Sequence, residues 1–189
     1  MNSFIITHED NIDFALKTQT HLKNIAIDTE LVVGATIDNQ KYKRCEVLMW
    51  NWIEVLLPKC IQCKKDVIIF EDDVRMVRSI SDIPFDDYDI IWFGYRRGKF
   101  ENKNKRITGT QAIYLKKEVL QDLYDNFYNS KKKIHLDHAM SKFCVKFMDK
   151  YKITQTKLSY VYEKEHTSLI SLDNWETYST PKKNINECK

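Results

Sequence analysis

Residues 66–77 of the chain read Asp-Val-Ile-Ile-Phe-Glu-Asp-Asp-Val-Arg-Met-Val. The apolar run at 67–70 is β-branched and aromatic, as in a strand that is buried on both faces. Glu71, Asp72 and Asp73 follow it directly, at the strand end where open α/β sheets bind ligands. Because side chains alternate along an extended backbone, Glu71 and Asp73 would share one side and Asp72 would take the other. The pattern predicts either a divalent cation site for a phosphorylated substrate or a solvated acidic turn.

The composition of the chain is that of a globular protein. It has 189 residues, of which 43% are hydrophobic and 30% are charged. This length can bury one core without disulfides, and no Ser/Gly/Pro-rich linker or internal repeat divides it. We therefore expect one domain over 1–172, followed by a polar tail over 173–189. The formal net charge of +3 permits an anionic partner but does not demand nucleic acid.

The five cysteines are an odd number, and the sequence shows neither a charged leader nor a long apolar segment. These features predict a reduced, cytoplasmic setting and no membrane span. Cys60 and Cys63 have the spacing of a metal knuckle. No second Cys/Cys or Cys/His pair stands at a suitable distance to complete four zinc ligands, so ordinary buried or surface thiols are favoured over zinc.

Apolar periodicity predicts alternating strands and helices on both sides of the acidic strand. Upstream, the pattern predicts strands at 3–7 and 28–35, a helix capped by Asp10, and a helix over 42–57 that is stopped by Pro58. Downstream, it predicts strands at 88–94, 109–115 and 153–162, a helix over 117–128, and another from His138. This rhythm predicts a single α/β, Rossmann-like domain with a mostly parallel central sheet flanked by helices.

Residues 96–106 are polar, strongly basic and without periodicity, which predicts a surface loop. Arg96, Arg97 and Arg106 would suit a flap near a diphosphate or an anionic acceptor. A solvated loop without such a role fits the same composition.

Four short blocks of the sequence carry a resemblance to a known family. They are residues 67–74 (Val-Ile-Ile-Phe-Glu-Asp-Asp-Val), 88–94 (Tyr-Asp-Ile-Ile-Trp-Phe-Gly), 109–115 (Gly-Thr-Gln-Ala-Ile-Tyr-Leu) and 136–138 (Leu-Asp-His). In this order and spacing, they resemble glycosyltransferase family 25, the lipooligosaccharide-type sugar transferases of the GT-A fold. The resemblance implies a metal-dependent transferase that moves a sugar from a nucleotide sugar, with a UDP-sugar expected, to an acceptor hydroxyl with inversion.

By the same resemblance, the acidic strand end is the Asp-x-Asp-type motif, which holds Mn²⁺ or Mg²⁺ against the two phosphates of the donor. Asp73 is expected to coordinate the ion, with Glu71 as a second ligand or a ribose contact. Asp72 would contact the donor sugar. His166 would complete the shell, and its imidazole suits manganese better than magnesium. A structural or exposed histidine is the alternative.

Asp137 stands where the family places a carboxylate that faces the acceptor. An inverting transfer needs a base to remove the proton of the attacking hydroxyl, and Asp137 would fill that role. The same residue could instead be the N-cap of the helix that begins at His138, because Asp is a favoured capping residue.

The resemblance also implies a donor pocket. Its expected residues are Thr7, His8 and Glu9 after the first strand, Gly34, Ala35 and Thr36 after the second, then Gly109, Thr110 and Gln111, with Ser168 as a weaker contact. Family members often carry an arginine just after the first strand, whereas this chain has His8 and Glu9 there, which leaves the nucleotide open. For Gly109 and Thr110, a plain strand entry is the alternative.

The acceptor is left open between a glycan, a protein and a modified DNA base. The small size and the Lys- and Asn-rich composition would suit a virus or phage protein. Two other functional classes compete with a transferase. One is a metal-dependent nuclease or phosphotransferase, since clustered acids also serve phosphodiester cleavage; the other is an inactive module that only binds nucleotide sugars.

Overall fold

The computed structural model describes residues 1–34, 44–76, 79–81, 83–93, 110–130, 135–156 and 161–163. The strands are β1 (Asn2–Thr7), β2 (Glu30–Val33), β3 (Val67–Glu71), β4 (Val74–Met76), β5 (Ile90–Trp92), β6 (Ala112–Leu115), β7 (Ile153–Gln155) and β8 (Val161–Glu163). The α-helices are α1 (Ile12–Asn24), α2 (Arg44–Asn51), α3 (Leu57–Cys63), α4 (Lys117–Asn129) and α5 (Leu136–Lys146). The predicted tail over 173–189 lies outside the described residues.

Six of these strands form one sheet in the order β2-β1-β3-β6-β5-β7. β1 is parallel to β2 and β3, and β5 is parallel to β7. Only β6 among these six strands runs in the opposite direction, antiparallel to both β3 and β5. The predicted fold class is confirmed: one α/β domain has a mostly parallel central sheet with helices on its faces.

The reversed strand decides which residues meet at the edge of the sheet. β1, β3 and β5 end at one edge, which we call the carboxyl edge, and β6 begins there because it is antiparallel to its neighbours. Phe70 near the end of β3 is registered with Ala112 at the start of β6. The residues just before β6 therefore lie beside those that follow β1 and β3. We call the opposite edge the amino edge.

The core covers both faces of the sheet, as the apolar run at 67–70 predicts. Val67 and Ile69 face helices α3, α4 and α5 within one buried cluster. Ile68 and Phe70 belong to a second cluster, which includes residues of α1 and β4. All four side chains are fully buried, so the strand that leads to the acidic residues is anchored on both sides.

The helix predicted over 42–57 does not stop at Pro58. α2 passes into a π-helical turn, Trp52–Leu56, and continues as α3 with Pro58 in its first turn. In that turn the Leu57 N–H donates to the carbonyl of Trp52, five residues back. A proline in a regular helix clashes with the carbonyl four residues earlier, and a π-turn is one way to widen the helix locally. Pro58 therefore lies in the first turn of α3, whereas the sequence pattern predicted that the helix ends at this residue.

Three further expectations need correction. Asp10 does not cap α1, because a 3₁₀ turn, Glu9–Asn11, precedes the helix and Asn11 takes the cap position. The segment 153–162 is not one extended strand, since β7 joins the main sheet and β8 pairs with β4 in a second, two-stranded sheet. α5 begins at Leu136 rather than at His138.

Cys60 lies in the core, and its burial raises the pKa of its thiol to about 12. Cys63 is half-buried, and its thiol donates to the carbonyl of Lys59 at 3.2 Å. Zinc binds the thiolate, so burial of Cys60 disfavours the ligand form. Within the described part of the chain, no helix has both the length and the apolar character needed to cross a membrane.

Candidate functional site

The acidic residues form the corner between β3 and β4. Glu71 is the last residue of β3, while Asp72 and Asp73 make the turn into β4. All three side chains are half-buried, and Oδ1 of Asp73 is buried. Carboxylates held this close together and partly out of water repel one another, so the surrounding contacts must hold them in place.

Asp72 is fixed by the ends of two other elements. The hydroxyl of Thr7, at the end of β1, donates to Oδ2 of Asp72 at 2.8 Å. The hydroxyl of Thr18, in α1, donates to the Asp72 carbonyl at 2.5 Å and accepts from the Arg75 guanidinium at 2.6 Å. The acidic turn is therefore tied to β1 and α1 through both the side chain and the backbone of Asp72.

Glu71 belongs to a different group of contacts. Its backbone N–H donates to the carbonyl of Gln111 at 2.9 Å, which places the residues before β6 alongside it. The hydroxyl of Thr110 donates to Oε1 of Glu71 and also lies 3.1 Å from Oδ1 of Asp137. Asp137 projects from the first turn of α5. The structure thus brings together two predicted site residues, Glu71 and Asp137, through the hydroxyl of a third.

The alternative role of Asp137 as an N-cap is wrong. His135 occupies the N-cap position of α5, and Asp137 is the second helical residue. A negative charge in the first turn still interacts favourably with the helix dipole. The rings of His135 and His138 flank Asp137 in sequence, with their centroids 5.9 Å apart.

The predicted alternation holds for the first two acids. Glu71 shares Thr110 with Asp137 of α5, which packs on the face of Val67 and Ile69. The Asp72 carboxylate accepts from Thr7, and its carbonyl accepts from Thr18 of α1, which packs on the face of Ile68 and Phe70. Asp73 follows Asp72 in the turn, outside the strand. Strand alternation therefore does not decide whether Asp73 and Glu71 face one another.

The carboxylate oxygens of Glu71, Asp72 and Asp73 are the kind of ligand that hard divalent cations prefer. Mg²⁺ and similar ions are commonly held by one or two carboxylates together with substrate phosphates. No group of three or more His, Cys, Asp or Glu side chains is placed to hold a metal in the described ranges. Those ranges would accordingly supply at most two ligands of these four residue types, with phosphate and water oxygens, or residues elsewhere in the chain, supplying the others.

The segments predicted to surround a nucleobase also adjoin the carboxyl edge. Gly34 directly follows β2, and its N–H donates to the carbonyl of Thr7 at 2.8 Å. The ring of His8 accepts a hydrogen bond from the Asp10 N–H at 3.4 Å and lies beside the Asp10 carboxylate. Glu9 is exposed in the 3₁₀ turn. Thr7, His8 and Gly34 are thus neighbours. The contacts described for the His8 ring are with Asp10 and stabilise the 3₁₀ turn.

Sequence reasoning missed Asn51, the last residue of α2. Its side chain is only 3% exposed and lies against Gly34, where a Cβ atom would stand 2.1 Å from Nδ2 of Asn51. Oδ1 of Asn51 accepts no hydrogen bond from the described residues. One feature of the sequence could have indicated it: Asn51 is a polar residue between two tryptophans in an otherwise apolar helical segment. The close packing of Asn51 explains why the residue directly after β2 is a glycine.

Other predicted site residues lie outside the described ranges, and their roles stay predictions. They are Ala35, Thr36, Arg96, Arg97, Arg106, Gly109, His166 and Ser168.

The fold is similar to those of solved glycosyltransferases. One is a glycosyltransferase involved in the glycosylation of the major capsid of PBCV-1, with a TM-score of 0.52, 8% identity, and 82% of each chain covered. Another is a mutant of a Drosophila β-1,4-galactosyltransferase 7 in complex with manganese, UDP-Gal and xylobiose, with a TM-score of 0.54 and 9% identity over 98% of this chain and 79% of that one. No protein-family model and no curated protein sequence matches the chain. At such identities the similarity shows a GT-A-like fold, and an activity has to be argued from the site.

Proposed function

We propose that the chain is a metal-dependent glycosyltransferase, related to family 25, that moves a sugar from a nucleotide-sugar donor to an acceptor hydroxyl with inversion. The observation that carries the proposal is the convergence of Glu71, Thr110 and Asp137 at the carboxyl edge, next to Asp72 and Thr7. Ligands of open α/β sheets bind at this edge. The arrangement supplies separate carboxylates for the donor and for the acceptor.

Asp137 acts as the general base in this proposal. Attack on the anomeric carbon requires loss of the acceptor hydroxyl proton as the new bond forms, and a carboxylate oxygen within hydrogen-bond reach accepts it. Asp137 is half-buried, and one of its oxygens contacts Thr110. α5 and Thr110 therefore limit the orientation of the carboxylate, which is what efficient proton transfer requires.

The acidic turn acts on the donor side. Asp73 and Glu71, with His166, would hold Mn²⁺ or Mg²⁺. Such an ion would neutralise the charge that develops on a diphosphate leaving group. Asp72, whose carboxylate is held by Thr7, contacts the donor sugar. Gly34 and the residues around His8 border the base of the nucleotide. Arg96, Arg97 and Arg106 add positive charge beside the diphosphate.

We propose UDP-sugar as the donor and a glycan as the acceptor. Two solved proteins of similar fold support this choice: one was captured with UDP-Gal and xylobiose, and the other is involved in capsid glycosylation. The test also includes a protein and a modified DNA nucleobase as acceptors, as in a virus or phage. Asp137 as general base can activate any acceptor hydroxyl. We place the protein in the cytoplasm, the host cytoplasm if it is viral.

The test is a panel of nucleotide sugars, assayed for transfer and for donor hydrolysis with and without Mn²⁺. The wild type should turn over one donor class only when a divalent cation is present, and Asp73→Ala should abolish both this turnover and the cation-dependent thermal stabilisation by the donor. Asp125→Ala, at an exposed position of α4, is the matched control and should behave as wild type.

Turnover that is equal without cation, or unchanged in Asp73→Ala, would overturn the metal-dependent proposal. Cleavage of DNA with Mg²⁺ and no sugar nucleotide would instead favour a nuclease. Donor binding without any turnover would identify a binding module.

A further inference from the structure

We infer that Thr110 is a positioning residue that couples the donor-side carboxylate Glu71 to the acceptor-side carboxylate Asp137. The inference deepens the proposed function and rests on it. In the sequence, Thr110 suggested a direct contact to the donor or a plain strand entry. The structure assigns its hydroxyl to two carboxylates of the protein instead.

The Thr110 hydroxyl oxygen is buried between two carboxylates, and only its hydrogen needs to rotate for it to donate to one or the other. The residue is 1% exposed and directly precedes Gln111, whose carbonyl accepts from the Glu71 N–H at 2.9 Å. Gln111 leads into β6, so the backbone at this point belongs to the sheet. The hydroxyl oxygen therefore lies between the end of β3 and the first turn of α5.

A threonine hydroxyl carries a single hydrogen. It donates a full hydrogen bond to only one carboxylate oxygen at a time, although both Glu71 and Asp137 lie within reach. In this proposal, a cation or a ribose hydroxyl of the donor at Glu71 would make that carboxylate a weaker acceptor, and the hydrogen of Thr110 would rotate towards Asp137. Donor binding thereby fixes the orientation of the Asp137 oxygen before an acceptor is activated.

This role predicts a loss in the transfer step rather than in donor binding. Thr110→Val keeps the branched shape and removes the hydroxyl. We expect kcat for transfer to fall about 10- to 100-fold, with the KM for the donor changed less than about threefold, because misorientation of a catalytic group affects the reacting geometry. Thr110→Ser retains the hydroxyl and should recover most of the wild-type kcat.

A double-mutant cycle with Asp137→Asn separates this role from a purely structural one. If Thr110 acts through Asp137, Thr110→Val should lower kcat by no more than about twofold once Asp137 is already Asn. Thr20→Val, which removes an exposed hydroxyl bonded to the Leu16 carbonyl, is the control and should leave kcat unchanged. Thermal melts establish that each variant is folded. If Thr110→Val does not fold, Thr110→Ala takes its place in the cycle.

The outcomes that overturn the inference are distinct from those that overturn the proposed function. A wild-type kcat in Thr110→Val, no recovery in Thr110→Ser, or losses that multiply with Asp137→Asn would each refute the coupling role while the transferase stands. Absence of transfer by the wild type would refute the proposed function and this inference with it.

Discussion

Carboxylates at the two edges of the central sheet are held in different ways. At the amino edge, Asp66 accepts from the Tyr114 hydroxyl and from the Lys117 N–H, each at 3.0 Å. Asp89 there pairs with the Lys116 ammonium at 3.2 Å and accepts from the Lys152 N–H at 2.8 Å. At the carboxyl edge, by contrast, threonine hydroxyls reach Glu71, Asp72 and Asp137.

The difference separates structural carboxylates from candidate reactive ones. A carboxylate that caps a helix or pairs with lysine is stabilised by the fold itself. A neutral hydroxyl that donates to a carboxylate orients it and brings no positive charge of its own. The comparison therefore predicts that substitution of a carboxylate at the carboxyl edge impairs turnover, whereas substitution of a carboxylate at the amino edge impairs stability.

The sharpest test of this separation is Asp137→Asn. Asparagine can still accept a hydrogen bond from Thr110 but cannot take a proton, so transfer should fall roughly 10²- to 10⁴-fold. The melting temperature should stay close to that of the wild type. Steady-state kinetics and a thermal melt measure both quantities, and retained activity would remove Asp137 from the catalytic role.

Gly34→Ala tests a part of the carboxyl edge that is structural. A Cβ atom there would stand 2.1 Å from Nδ2 of the buried Asn51, so we expect a loss of about 1–3 kcal/mol in the free energy of unfolding. Asn51→Ala should relieve the clash and recover part of that loss. Urea unfolding of the two single variants and the double variant provides the cycle. Additive losses would show that the two side chains do not compete for the same space.

Asp66→Ala tests the amino edge. It removes an acceptor for the first N–H of α4 and for the Tyr114 hydroxyl, so the free energy of unfolding should fall by about 0.5–2 kcal/mol. Turnover should remain at the wild-type level because no site residue is touched. Chemical denaturation and a kinetic assay of the same preparation measure both. If kcat fell while stability was unchanged, the distinction between the two edges would be wrong.

The smallest expected effect concerns Asp122 in α4. The hydrogen bond from the Lys150 ammonium is the main cause that holds the pKa of Asp122 below its ordinary value of 3.8. A carboxyl with a lower pKa in the folded state stabilises the protein above its unfolded pKa, and this contribution is lost as the pH falls through the folded value.

Asp122→Asn should therefore lower stability at neutral pH and reduce the further loss on going from neutral pH to acid values below 3.8, the ordinary pKa of the group. Exposed pairs of this kind contribute little, which is why the change should be small. Melting curves across that range would measure it, with Asp125→Asn on the same helix as control. Parallel pH curves for the wild type and Asp122→Asn would count against the pair.

The fold was predictable where a local sequence pattern is typical of a single secondary structure. The apolar run before Glu71 indicated a strand buried on both faces, and the apolar spacing over 117–128 indicated α4 almost to its observed ends. The reversal of β6 was not predictable, because the apolar residues of a buried strand do not record its direction. Pro58 misled because proline ends a regular helix but fits the first turn after a widened one.

The sequence indicated the charged residues of the candidate site but not the contacts between them. Glu71 and Asp137 lie 66 positions apart in the chain; the position of Glu71 after a buried strand made it a candidate, and the family resemblance made Asp137 one. Their shared contact with Thr110 depends on the reversed strand, which sequence periodicity does not reveal. Asn51 was missed for a similar reason, since its importance lies in its packing against a glycine from another element.

The antiparallel pairing of β5 and β6 brings two distant positions of the chain to one edge of the sheet. Phe93, just after β5, donates its N–H to the Ala112 carbonyl at 3.1 Å, and Thr110 stands two positions before Ala112. Phe93 and Thr110 therefore both lie at the carboxyl edge. A substitution that weakens the pairing of β5 with β6 would act directly on the position of Thr110, the residue that contacts Glu71 and Asp137.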